Sequence, residues 1–297
     1  MSFRALSCAA VVILAVSTAT VSLSQKPPTS QETVWFALKQ GDEYDGIGKL
    51  RLDPLAIISG GKLSKVLDNC SDDGPAYQTF LAEYLNAGHS YAVLFGGGAA
   101  GIAVIGETHK NSLDPSVDYK GTARIHGPVM GLATDSIINP AKVSSRQSPT
   151  SAESQSAADI AKSLFAQADV PTNLLARIKV RNLTKTFLLP SKSPSLIGSY
   201  SIEAGGRTRP THNLFFIATF NGTGYAPEFA WTRISKSEVE SESATFVDQG
   251  DFIGDGEEEV VVLERGWEGY GYRIYDRKKN DASRWESIFE TEVFGCG

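Results

Sequence analysis

Three carboxylates, Asp251, Asp255 and Glu259, recur at a spacing of four in the stretch Phe246–Val262, FVDQGDFIGDGEEEVVV. The two aspartates sit in a turn bounded by Gly250, Gly254 and Gly256, and a β-branched run, Val260-Val261-Val262, follows the glutamate. An acidic loop feeding a buried strand is a layout that a hard cation such as Ca²⁺ uses to hold a turn, because Ca²⁺ takes about six to eight oxygen ligands. Asp251, Asp255 and Glu259 supply part of such a set, the carbonyl of Glu257 another oxygen, and Asp248 or water the remainder. The same residues also suit a metal-free turn, since aspartates in turns accept backbone N–H bonds. The helix-loop-helix calcium motif does not fit, because Val262 stands at its twelfth position, where that motif needs a carboxylate.

Other candidate chemistry is sparse. Gly96-Gly97-Gly98-Ala99-Ala100-Gly101 matches G-x-G-x-x-G letter for letter. A dinucleotide site needs its last glycine to open a helix, whereas Gly101 opens the strand-like run Ile102–Ile105, so a glycine hairpin is expected there. His89, His109, His126 and His212 are scattered, without the spacing of a zinc site. No G-x-S-x-G occurs, and Ser59–Lys62 fits S-x-x-K without its supporting motifs. Trp267, Tyr270, Tyr272, Tyr275 and Trp285 crowd together. Strand alternation puts Tyr270 and Tyr272 on one face and Tyr275 on the other. That suits a sheet core with cross-strand aromatic pairs, the alternative being a stacking platform for a sugar or peptide.

The elements that must position these residues are mostly strands. Residues 1–24 read as a signal peptide, with Arg4, the short apolar run Cys8–Val16 and small residues after it. That run is too short to span a bilayer, so a secreted or periplasmic protein without a transmembrane segment is expected. A polar arm, 25–33, leads to a β-rich N-terminal domain with one helix, 34–138. A serine-rich linker, 139–156, and a C-terminal domain, 157–297, follow. The C-terminal domain opens on a helix over 157–168 and continues as strands. Leu196–Tyr200 echoes Val260–Glu264, and Ile217 and Trp231 echo Ile274 and Trp285, which suggests two copies of one β unit. In the first copy Leu189–Pro194 stands where the second has its acidic loop.

Asp251, Asp255, Gly256 and Glu259 match the first, fifth, sixth and ninth positions of the loop D-x-[DN]-x-D-G-x-x-[DE]. Ile253 stands at the third, where that pattern has an oxygen ligand. The stretch resembles the FG-GAP or VCBS repeat of integrin-like β-propellers, over residues 244–290 and more faintly over the preceding copy. The resemblance implies a Ca²⁺-binding loop between two strands. A propeller needs at least about four blades, and the chain after the linker has room for two or three, so a complete propeller is not expected.

The expected fold class is α+β and β-rich, with two domains of antiparallel strands carrying one or two short helices each. A net charge of −6 argues against a nucleic-acid partner held through phosphates. Of three cysteines, Cys70 and Cys296 remain after the signal, a candidate disulfide or two separate thiols. The functional expectation is a non-catalytic binding or structural protein with an unidentified protein or carbohydrate ligand. The alternative is an exported hydrolase with its site near His89, His126 and the Tyr91–Gly101 hairpin.

Overall fold

A computed structural model describes residues 32–41, 49–66, 74–106, 115–203, 211–267, 269–278 and 281–291, the side chains of 281–284 excepted. The expected signal peptide and most of the polar arm lie outside them, as do His109, Cys70 and Cys296. Within Glu32–Gln40 (β1), Val34, Phe36 and Leu38 alternate with Trp35 and Ala37, and all five are buried. A strand apolar on both faces must be covered on both. The first set joins one core cluster and the second set another.

Strands β2 (Leu50–Ser59) and β3 (Lys62–Ser64) follow, then α1 (Pro75–Tyr84), β4 (Ser90–Phe95), β5 (Gly98–Ile105), β6 (Ser116–Gly121) and β7 (Gly131–Thr134). Hydrogen-bonded neighbours run β1-β7-β4-β5-β6-β2, and β1 also pairs antiparallel with β2 along its whole length, so the ladder returns on itself as a ring. Such closure leaves β3, paired only with β2, as the free edge of this sheet among the described residues. Phe80 of α1 packs with Phe36, Leu52, Tyr91 and Val93 in the cluster on one face of the ring.

Beyond the ring come α2 (Ser151–Gln167), α3 (Thr172–Leu175) and two four-stranded antiparallel meanders. The first is β8 (Lys179–Phe187), β9 (Pro194–Glu203), β10 (Thr211–Phe220) and β11 (Tyr225–Arg233). The second is β12 (Ser243–Gly250), β13 (Glu259–Arg265), β14 (Tyr270–Lys278) and β15 (Asp281–Glu290). The residues that echo one another in sequence fall on corresponding strands: β9 with β13, β10 with β14, β11 with β15. The protein is thus β-rich, with three antiparallel sheets and few, short helices among the described residues, and it forms no complete propeller.

Period-two alternation sets the layers. Val261, Leu263, Tyr272 and Ile274 of the second meander pack on Trp35, Ala37, Leu55 and Leu132 of the ring. Val260, Val262 and Tyr275, on its other face, meet Ile197, Phe215 and Ile217 of the first meander. The far face of that meander, with Leu196, Tyr200, Leu214 and Phe216, is covered by Ala157, Ala161 and Phe165 of α2. The unbroken Val260–Val262 run is therefore a strand buried on both sides. None of the helices is long and apolar enough to cross a membrane, among the described residues.

The serine-rich segment 139–156 departs from the slack linker expected of its composition. Residues 151–156 belong to α2, which starts six residues before Ala157 because Thr150 and Glu153 form a capping box. The Glu153 N–H donates to Thr150 Oγ1 at 3.2 Å, and the Thr150 N–H donates to the Glu153 carboxylate at 2.8 Å. Upstream, the Ala99 N–H donates to the Lys142 carbonyl at 2.9 Å and the Ser145 N–H to the Gly96 carbonyl at 3.0 Å. Bonded in this way, the segment follows a fixed course along the ring although none of residues 139–150 is buried. Residues Gln31–Gly297 accordingly cluster as one compact unit, in which ring and meanders are separate sheets. Thr150→Ala should cost about 1 kcal/mol of stability, read as a lower urea midpoint at unchanged slope.

Candidate metal centre

The acidic loop joins β12 to β13 and hangs on one apolar anchor. Phe252 is buried against Trp35, with ring centroids 4.5 Å apart. Around it Asp251 organises the turn: Oδ1 accepts the N–H groups of Gly254 at 2.8 Å and Asp255 at 3.1 Å, and Oδ2 accepts that of Gly256 at 3.0 Å. Gly254 and Gly256 have φ of 77° and 87°, the left-handed region that glycine enters without strain. Asp255 Oδ1 accepts the Glu257 N–H at 3.0 Å. To this extent the loop is the metal-free aspartate turn.

Glu259 differs. It opens β13 fully buried, and its Oε2 accepts the Phe252 N–H at 2.6 Å. Its Oε1 is buried with no hydrogen-bond partner. Burial is the largest cause pushing its carboxyl up to about 8, and the negative charges of Asp276 and Asp251 push the same way against the Phe252 N–H. One carboxylate oxygen from each of Asp251, Asp255 and Glu259 lies within 4.8 Å of the other two. The loop therefore brings together all three residues that the spacing singled out. Asp248 is not among them. Both its oxygens accept the Gly96 N–H, at 2.8 and 3.0 Å, and burial pushes it up to about 7 against the opposing charge of Arg146.

Family models, curated proteins and solved structures offer no match to this chain. What the site can do rests on its own geometry.

The remaining sequence candidates disperse. Gly96 and Gly97, at φ 60° and 68°, form the two-residue turn between β4 and β5, a hairpin and not a helix N-terminus. Added Cβ atoms would run into Arg146 at Gly96, Glu258 at Gly97 and the backbone of Val143 and Ser144 at Gly98. The glycines thus admit a neighbouring chain segment. Ser59 and Lys62 face each other across the β2–β3 hairpin. His89, His126 and His212 stand before β4, before β7 and on β10. His212 Nδ1 accepts the Ser235 N–H at 3.3 Å, and burial lowers its pKa. Tyr272, Tyr275 and Trp285 are core residues, while Trp267 is exposed.

Glu258 is the residue that sequence reasoning missed. It is 3% exposed. Its Oε1 accepts Lys142 Nζ at 2.7 Å, and its Oε2 accepts the Leu189 N–H at 3.0 Å and Gln249 Nε2 at 2.8 Å. Its own N–H donates to the Leu189 carbonyl at 3.0 Å. Gln249, also buried, donates further to the Phe187 carbonyl at 2.7 Å and accepts Thr186 Oγ1 at 2.7 Å. Segment 142–146 and the two equivalent loops meet on one carboxylate. Its only signal in the sequence is a third acidic residue beside Glu259.

Proposed function

We propose that the chain is an exported, non-catalytic binding or structural protein whose second meander is held at its β12–β13 loop by Ca²⁺, bound through Asp251, Asp255 and Glu259. The observation that carries this reading is Glu259 Oε1, an oxygen without a partner, buried beside two other carboxylates. A buried carboxylate oxygen left unmatched costs free energy, and a hard cation is the group that all three acids would share. The resemblance to FG-GAP loops supports the same ion. The export part rests on Arg4 and the apolar run Cys8–Val16. No observation favours the hydrolase alternative, and the turn of the Tyr91–Gly101 hairpin is covered by residues 142–146 and Glu258.

Excess Ca²⁺ should raise the melting temperature and chelator should reverse the rise. At about a hundredfold above Kd the gain is about 2.7 kcal/mol, or roughly 5 °C for a chain of this size. Asp251→Ala should abolish the Ca²⁺ response. A melting curve indifferent to Ca²⁺ and chelator would refute the site.

The pH dependence has a definite sign. The Glu259 carboxyl sits at about 8 in the cation-free fold against an ordinary 4.5. Its folded value is the higher one, so its contribution to stability is complete below about pH 4.5 and is lost as the pH rises through about 8. Ca²⁺ must displace that proton. The Ca²⁺-induced rise in melting temperature should therefore be small near pH 6 and full near pH 9. Equal shifts at both pH values would remove Glu259 from the ligand set.

A further inference from the structure

The turn between β10 and β11 carries the dipeptide Asn221-Gly222, and Asn221 is the one asparagine of the chain that a glycine follows. Both residues are exposed, and with Thr223 and Gly224 they join the paired strand ends Phe220 and Tyr225. The backbone nitrogen after an asparagine is placed to attack the side-chain carboxamide and close a five-membered imide. A side chain on the attacking residue hinders that closure, and glycine has none. No atom lies within 4 Å of the position a Cβ on Gly222 would take, so the space around the nitrogen is open.

Asn221 Oδ1 accepts three hydrogen bonds, from the Thr223 N–H at 3.1 Å, Thr223 Oγ1 at 2.9 Å and the Gly224 N–H at 3.1 Å. The first closes a ring that runs from Oδ1 through Cγ and Cα to the Gly222 nitrogen and on to Thr223. The carboxamide is thereby folded back over the peptide that attacks it. Negative charge develops on Oδ1 when Cγ is attacked, and donors already aimed at that oxygen stabilise it. Among the described residues nothing accepts the Gly222 N–H or the Asn221 Nδ2 protons. Nucleophile and leaving group are both free. Asn182 and Asn213 contrast with this, being buried on strands with Nδ2 held by the Pro128 carbonyl at 3.0 Å and the Thr211 carbonyl at 3.2 Å.

We propose that Asn221 is a site of spontaneous modification, converting to aspartate and isoaspartate in the folded chain with the help of the donors on its Oδ1. The Gly222 nitrogen loses its proton and bonds Asn221 Cγ. The Cγ–Nδ2 bond then breaks, and Nδ2 takes up a proton and leaves as ammonia. Water opens the imide at either carbonyl. Cleavage of the new bond restores the main chain with an aspartate, whereas cleavage of the original peptide bond leaves it running through Cβ and Cγ, one methylene longer. Aspartate keeps the oxygen that accepts the three donors. Isoaspartate outgrows the hydrogen bond from the Asn221 N–H to the Gly224 carbonyl, at 3.0 Å. Beside that bond Tyr225 meets the Phe220 ring at 5.4 Å and donates its hydroxyl to Glu153 of α2 at 2.9 Å. The longer product therefore loosens the hairpin where α2 rests on it.

The test is peptide mapping by mass spectrometry after timed incubation of the full folded chain, from about pH 7 to about pH 9. The peptide carrying Asn221 should gain one mass unit and divide into two products, ahead of every other asparagine and faster as hydroxide rises. Thr223→Val withdraws one donor from Oδ1 and keeps the two N–H donors. It should slow the conversion about fivefold, the worth of one neutral hydrogen bond. Asn221→Gln, whose imide would need a six-membered ring, should stop it. Chain unfolded in urea serves as the reference for the sequence without the turn. The proposal is overturned if Asn221 stays intact in folded protein while the unfolded chain converts it, if another asparagine converts first, or if Thr223→Val converts as fast as the parent.

Discussion

Replacing Glu258 by alanine is expected to lower the unfolding free energy by about 2–3 kcal/mol, the range for leaving buried donors unmatched, because the Lys142 ammonium stays partly solvated. Lys142 and the Leu189 N–H would lose their acceptor, and Gln249 one of its acceptors. Glu258→Gln should cost less than alanine, because its amide keeps the shape and one acceptor while turning N–H groups toward donors. Urea unfolding of both variants measures this. A loss below about 1 kcal/mol for the alanine variant would show that the junction contributes little to holding the sheets together.

A larger effect is expected at Gly98. Its φ is not in the left-handed region, so backbone strain is not the issue, but an added Cβ would collide with the main chain of Val143 and Ser144. Main chain cannot rotate aside as a side chain can. Gly98→Val should therefore cost more than about 3 kcal/mol, by displacing segment 142–146 or by preventing folding. Gly222→Ala supplies the control. Its φ of 96° carries backbone strain, but no atom lies within 4 Å of an added Cβ, so about 1–2 kcal/mol is expected. Equal costs at the two positions would mean that the close approach of segment 142–146 is not what requires glycine at 98.

Much of the second meander is legible in the sequence, because Val260–Val262 and the alternating aromatics of β14 declare their faces without reference to the rest of the chain. Asp251, Asp255 and Glu259 are legible for a related reason: a glycine-bounded turn gathers residues four apart locally. What the sequence hides is what depends on distant partners. Pro140, Pro149 and the serines between them have linker composition, yet this segment lies hydrogen-bonded along the Gly96–Gly98 turn. The capping pair Thr150 and Glu153 is a local signal that extends α2 beyond its apolar stripe. Glu258 and Glu259 read alike as neighbours in an acidic run. Only the fold assigns one to a junction of three segments and leaves an oxygen of the other unmatched.

The hydrogen bond from the Gly96 N–H to Asp248 spans 152 residues of chain. It ties the turn of an early hairpin to a strand made near the end of synthesis, so the ring cannot reach its final form while the second meander is still missing. Contacts of such long range are reached slowly, because the intervening chain must be ordered first. During that interval Trp35 lacks Phe252. In the proposed export of the chain, the early half completes this contact only after the late half has arrived.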